Sequence, residues 1–92
     1  MNVILDGELI LNRERLHDAL AEGLCLPDWY GRNLDALHDC LTDLKTETVI
    51  ILHHKAAFER NLGHYGARFL RLLEDVSREN PCLVLEDETT GD

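Results

Sequence analysis

The chain has 92 residues, nearly half of them apolar, with nine Lys and Arg against eighteen Asp and Glu, a formal charge of −9. That length makes one domain around one core, and that composition is globular rather than disordered. The charge argues against nucleic acid or an anionic membrane as partner, since both select clustered Lys and Arg, and it favours a cationic partner.

The opening "MNVILDGELIL" has no basic leader and turns polar at Asp6-Gly7, so it does not read as a signal peptide. No apolar run approaches the roughly 20 residues that cross a bilayer, and the expected location is the cytoplasm. Residues 3–5 (VIL) predict a first strand closed by the Asp6-Gly7 turn. Residues 12–24 predict a helix capped by Asn12, with Leu16, Ala19, Leu20 and Leu24 on one stripe and Gly23 at its end. Pro27 and Gly31 mark the connector "CLPDWYG". Asn33 caps the next predicted helix, whose apolar face is Leu34, Leu37, Cys40 and Leu41. Asp35, His38, Asp39, Thr42 and Asp43 take the opposite side.

Residues 48–52 (TVIIL) form a continuous β-branched run, which predicts a strand buried on both faces. A short helix over 55–62 is interrupted at Gly63, and a longer one over 64–80 stops at Asn80-Pro81. On the longer helix Tyr65, Phe69, Leu72, Leu73 and Val76 face inward, and Arg68, Arg71, Asp75 and Arg78 outward. Residues 82–86 (CLVLE) predict a third strand. The order implies an α/β fold: one small domain over residues 1–88, a three-stranded parallel sheet covered by about four helices through right-handed crossovers. Residues 89–92 form a short polar tail.

Neither glycine-rich phosphate-binding pattern occurs. His53 and His54 are adjacent at a strand end and diverge, and His17, His38 and His64 show no ligand spacing, so neither metal nor cofactor is expected. Cys25, Cys40 and Cys82 form no C-x-x-C pair and read as buried reduced thiols, a Cys40–Cys82 disulfide being the alternative in an oxidising compartment that nothing else in the sequence suggests. His38 beside Asp39 is an acid–base pair without a nucleophile, since Cys40 faces the core, and no enzymatic activity is expected.

Asp35, Asp39 and Asp43 stand four apart, with no Lys at i+4 to neutralise them. Such repulsion costs a helix about 0.2–0.5 kcal/mol per pair. Asp35 is favoured by the macrodipole near the helix start, and Asp43 at the other end is not. Ahead of them stand Trp29 and Tyr30, which are either core aromatics or surface anchors. An aromatic pair, a helix start and an uncompensated acidic ridge together have the composition of a protein-binding hot spot. On these residues binding ranks above catalysis, with no partner named.

The run "LCLPDWYGRNLDALHDCLTD" resembles the signature region of the barstar family, intracellular inhibitors of secreted bacterial ribonucleases of the barnase type. The likeness rests on Leu26 to Gly31, Asn33 to Leu37 and Asp39 to Thr42, and extends more weakly to "VILDGELI", "LHDAL", Gly66-Ala67 and Cys82. It implies a three-stranded parallel sheet packed with helices, and a protein that plugs a ribonuclease active site by mimicking RNA phosphate. Carried onto this chain, it implies that Asp39 enters the basic pocket, Asp35 pairs with a nearby cation, and Trp29 packs on an active-site His or loop. Tyr30, Asn33, His38, Thr42, Asp43 and Leu44 complete the expected contact, and the free protein is expected to be a monomer. Three positions depart from the family pattern. His38 replaces an aromatic, Asp43-Leu44 replaces Gly-Trp, and Val76 stands where an acidic contact residue can occur. These departures keep a second reading open, an immunity or adaptor protein for a different basic partner such as a toxin nuclease domain.

Overall fold

Three short apolar runs pair as a parallel sheet, in the order β1 (Asn2–Asp6), β2 (Thr48–His53), β3 (Leu83–Glu88). The computed structural model describes residues 1–88, and the expected polar tail lies outside the described residues. Val3 is opposite Ile50 and Leu5 opposite Leu52, while Ile50 is opposite Leu85 on the other side. Helices α1 (Arg13–Gly23) and α2 (Leu34–Thr42) connect the first two strands; α3 (Lys55–Leu62) and α4 (His64–Glu79) connect the last two. The predicted α/β architecture is therefore present: a three-stranded parallel sheet with four helices.

The expectation that β2 is buried on both faces is corrected. Thr48, Ile50 and Leu52 are buried, whereas Val49, Ile51 and His53 are only half-buried. Strand order follows chain order, so each crossover steps sideways in the same direction. Crossovers of one hand then lay every helix on one face. The opposite face stays open among the described residues, and Ile4 on β1 is 61 % exposed. A β-branched run records strand propensity, and it does not by itself report how many layers cover the strand.

Between sheet and helices lies one core. Leu16 and Leu20 of α1, Leu37 and Leu41 of α2, Phe58 of α3 and Phe69, Leu73 and Val76 of α4 are all fully buried with Leu5 and Ile50. The Phe58 and Phe69 rings meet at 5.8 Å in a tilted pair. Burying each such side chain contributes about 1.5–3 kcal/mol.

Helix α1 ends at Gly23, as its position suggests, but that glycine does not supply the left-handed residue. It is small because β1 passes close by: a Cβ there would sit 2.7 Å from Val3 Cγ1. Cys25 takes the left-handed conformation instead, at φ 53°. The Cys25 amide donates to Glu22 O and the Leu26 amide to Ala21 O, the bonding pattern of a Schellman turn. The turn carries Cys25 to the surface, so the expectation that all three thiols are buried fails at this position; Cys40 and Cys82 are half-buried. All three cysteines are free thiols.

At the C-terminal edge of the sheet, Gly7 turns the chain out of β1 with no room for a side chain. A Cβ there would lie 2.2 Å from His54 O and 2.6 Å from Phe58 N, both backbone atoms. Backbone gives way less readily than a side-chain tip, so Gly7→Ala is expected to destabilise the fold by at least about 2 kcal/mol, read as a lower urea midpoint. A midpoint equal to wild type would show that the turn is not packed as described.

Candidate functional site

The chain leaves α1 through a connector whose backbone is tied down on both sides. Arg32, at φ 54°, returns its guanidinium to α1, donating to Asp18 Oδ1 at 2.6 Å and to Glu14 O at 3.1 Å. Asn33 then caps α2, its Oδ1 accepting from the Ala36 amide at 2.8 Å while Nδ2 donates to Gly31 O at 3.2 Å. Both functional atoms of Asn33 are thus used inside the fold. Leu34, Leu37 and Leu41 seat the helix on the core, and α2 packs along α4.

The far end of α2 is held by a residue that sequence reading takes only for a helix stop. Asn80 Nδ2 lies 3.0 Å from Leu41 O, 3.3 Å from Thr42 O and 3.0 Å from Leu44 O, and Asn80 Oδ1 accepts from the Cys82 amide. Its amide hydrogens meet the carbonyls that a helix end otherwise leaves without intrahelical partners. An Asn before a Pro announces the end of α4; nothing local connects it to carbonyls 36 to 39 residues earlier.

The aromatic pair divides. Tyr30 is only 6 % exposed, and its Oη lies 2.7 Å from Nδ1 of the buried His17, whose Nε2 lies 2.7 Å from Tyr65 Oη. Trp29 is 82 % exposed. Tyr30, grouped with the contact residues from sequence, is buried in the fold, where its ring anchors the connector that carries Trp29. The role of His17 was also invisible in sequence, where its spacing to the other histidines carried no signal.

Burial holds His17 below the usual imidazole range, with Arg32 and Arg13 adding to the effect. A neutral imidazole has one donor and one acceptor nitrogen, so one tyrosine accepts from it and the other donates to it. Burial also raises both phenols, Tyr30 to about 12. The three-residue network is uncharged at neutral pH.

Asp35, His38, Asp39 and Asp43 are exposed on α2 and its C-cap. The Asp39 side chain is 88 % exposed, and His38 Nδ1 stands 3.9 Å from its carboxylate. Asp35 and Asp43 have no ion-pair partner among the described residues. Thr42 donates to Asp39 O at 3.0 Å, and half-buried Leu44 packs against the core. The ridge looks two ways. Asp39 and Asp43 border a hollow of about 290 Å³ beside Trp29, whereas Asp35 and His38 border a groove of about 560 Å³ toward α4. The Cys40 thiol is pushed up by burial and by the Asp39 and Asp43 charges, which favours the thiol over the nucleophilic thiolate.

Val76 is 0 % exposed, so it lies beneath the face and not on it. The expected departure at this position is a core residue; Asp75 and Glu79 are the α4 carboxylates that line the groove.

Away from α2, Asp6, Glu8 and His54 bring one potential ligand atom each within 4.8 Å of one another. His54 Nδ1 lies 2.9 Å from Asp6 Oδ1, and the Glu8 amide donates to the same oxygen at 2.9 Å. These bonds hold the Asp6 carboxyl below its usual range, the Glu8 amide contributing most. The cluster braces the β1 and β2 ends across 48 residues, which sequence spacing could not show. No helix among the described residues is long and apolar enough to cross a membrane.

The fold and this surface define a small parallel α/β domain that presents an acidic helix beside an exposed tryptophan. Residues 1–89 match the Barstar family model, described as barnase inhibitor, and the chain belongs to that family. It is also 38 % identical over 78 residues to a Bacillus subtilis protein named "Putative ribonuclease inhibitor YrdF", an alignment covering 84 % of this chain and 86 % of that protein.

Because His17 is held below its ordinary range, the unfolded chain takes up its proton first as pH falls. The bridge therefore contributes a loss of stability on acidification, beginning near the unperturbed value of about 6.5. Urea titrations between about pH 7 and about pH 5 are expected to show a steeper loss for wild type than for His17→Gln. Parallel curves would contradict the buried neutral bridge.

Proposed function

We propose that this chain inhibits a basic ribonuclease of the barnase type, laying α2 across the active-site cleft so that Asp39 takes the place of an RNA phosphate. The observation that carries this reading is Asp39 itself. Its carboxylate is almost fully exposed, stands beside Trp29, and projects from a helix capped by Asn33 and braced by Asn80. Ribonuclease clefts gather Arg and Lys to hold phosphate, and a carboxylate fixed in advance meets those groups with charge-assisted bonds at little ordering cost. Trp29 supplies the apolar anchor, Asp35 and His38 contact the cleft wall, and Thr42, Asp43 and Leu44 extend the contact. The inhibitor acts inside the producing cell and performs no chemistry of its own.

A second reading is binding to a different basic protein, such as a toxin nuclease domain. It is favoured by Asp43, whose exposed, unpaired carboxylate lengthens the ridge at the unfavourable end of the helix dipole. A panel of ribonucleases separates the two: if no barnase-type enzyme is inhibited while another basic nuclease is captured, the second reading holds.

Against an inhibited enzyme, Asp39→Ala is expected to raise the inhibition constant at least about 30-fold, the scale of an interface hot spot. Glu22→Ala, at an exposed α1 position, is expected to change it less than about twofold. Asp18 does not serve as that control, because its carboxylate holds Arg32 and through it the connector. Association of the wild type should slow markedly as salt rises from about 0.05 to about 0.5 M, since the Debye length contracts below 10 Å. Equal effects of the two substitutions would place the contact elsewhere.

A further inference from the structure

For so acidic a chain, its cations are unevenly placed. Of the nine Lys and Arg residues, five (Arg13, Arg32, Arg68, Arg71 and Arg78) line the two hollows that flank α2 on its α4 side. Three of the five are engaged within the fold. Arg32 bonds Asp18, Arg78 pairs with Asp75 at 3.5 Å, and Arg13 lies over the Tyr65 ring at 5.2 Å. Arg68 and Arg71 are exposed and have no ion-pair partner among the described residues. They stand three apart on α4, on one face of the helix. Across the groove are Asp35 and His38, yet the Asp35 carboxylate does not come within ion-pair distance of either guanidinium. The same groove carries Asp75, paired with Arg78, and Glu79, so its open cations are Arg68 and Arg71: the face is acidic from Asp39 to Asp43 beside Trp29 and holds two unpaired arginines on α4.

We infer that the partner is bipolar in the complementary sense: beside its basic substrate cleft it carries an acidic segment that seats in the α2–α4 groove on Arg68 and Arg71. This rests on the inhibitor reading above. The groove shares Asp35 and His38 with the acidic ridge, so a partner engaged by that ridge also covers the groove. A partner that is basic throughout would bring its own cations against two unneutralised arginines, and like charges juxtaposed at an interface are strongly unfavourable. An Asp or Glu carboxylate of the partner meets the same guanidiniums with paired, charge-assisted bonds. Arg68 and Arg71 thereby discriminate among basic nucleases, which Asp39 alone does not do.

The sign of the effect is the test. Inhibition of a panel of barnase-type ribonucleases, some with and some without acidic residues on the cleft rim, is measured for wild type, Asp39→Ala, and the doubles Arg68→Gln/Arg71→Gln and Arg68→Glu/Arg71→Glu. Arg60→Glu, exposed on α3, controls for net charge. Against an enzyme with an acidic rim the glutamine double is expected to weaken inhibition at least about threefold and the charge reversal at least about tenfold. Replacing the rim carboxylates by Lys should restore binding to the reversed variant. Circular dichroism melts of both doubles confirm folding, and the glutamine double decides the matter should the reversal unfold. If Asp39→Ala weakens inhibition while both arginine doubles bind equally or more tightly, the inference is overturned and the inhibitor reading stands. If Asp39→Ala has no effect, the inhibitor reading fails and takes this inference with it.

Discussion

One buried imidazole ties the connector that carries Trp29 to the rest of the fold. His17 comes from α1, Tyr30 from the connector and Tyr65 from α4, and two contacts of 2.7 Å join them. Without that bridge Tyr30 would carry a buried hydroxyl with no partner, a cost of roughly 1–3 kcal/mol. With it, Tyr30 turns inward, and the adjacent Trp29 stands in solvent. Because the bridge is neutral at both ordinary and mildly alkaline pH, it holds the surface in place without adding charge beside the aspartates.

Those aspartates are a local cost that the fold offsets at both helix ends. Asn33 satisfies an amide at the N-terminus, where the dipole also favours Asp35. At the C-terminus, where Asp43 is unfavourable and no basic residue stands in the last turn, the Asn80 amide meets the exposed carbonyls. Helix α2 can keep its carboxylates unpaired because its stability comes from Leu34, Leu37 and Leu41 below and from asparagines at its ends. A surface held this way is ordered before it meets a partner, so little conformational entropy remains to be lost on binding.

The same division of labour explains the cations. Arg32 and Arg13 act inside the molecule, one bonded to α1 and one stacked on Tyr65, and both help keep His17 neutral. Arg68 and Arg71 form no ion pair among the described residues, so two guanidiniums stand open beside the acidic ridge. Ridge and groove share Asp35 and His38, so the acidic and the arginine-bearing parts of the face form one continuous surface.

Local chemistry made much of this legible. Helix periodicity, the Asn12 and Asn33 caps, the break at Gly63, the Asn80-Pro81 stop and the three apolar runs each act within one or two turns of chain, so sequence alone determined the element order, the parallel α/β class and the carboxylate spacing on α2. The contiguous run around Asn33 to Leu37 also carried the family likeness, because its motif is unbroken in sequence. What tertiary structure decided depends on contacts between distant residues. Crossovers of one hand left one face of the sheet open among the described residues, which a β-branched run cannot report. The choice between Tyr30 inward and Trp29 outward came from His17, 13 residues away. The brace on α2 came from Asn80, the burial of Val76 from the packing of α4, and the meeting of Asp6 with His54 from β1 and β2 lying side by side. Sequence spacing measures distance along the chain, and each of these was settled by distance through space.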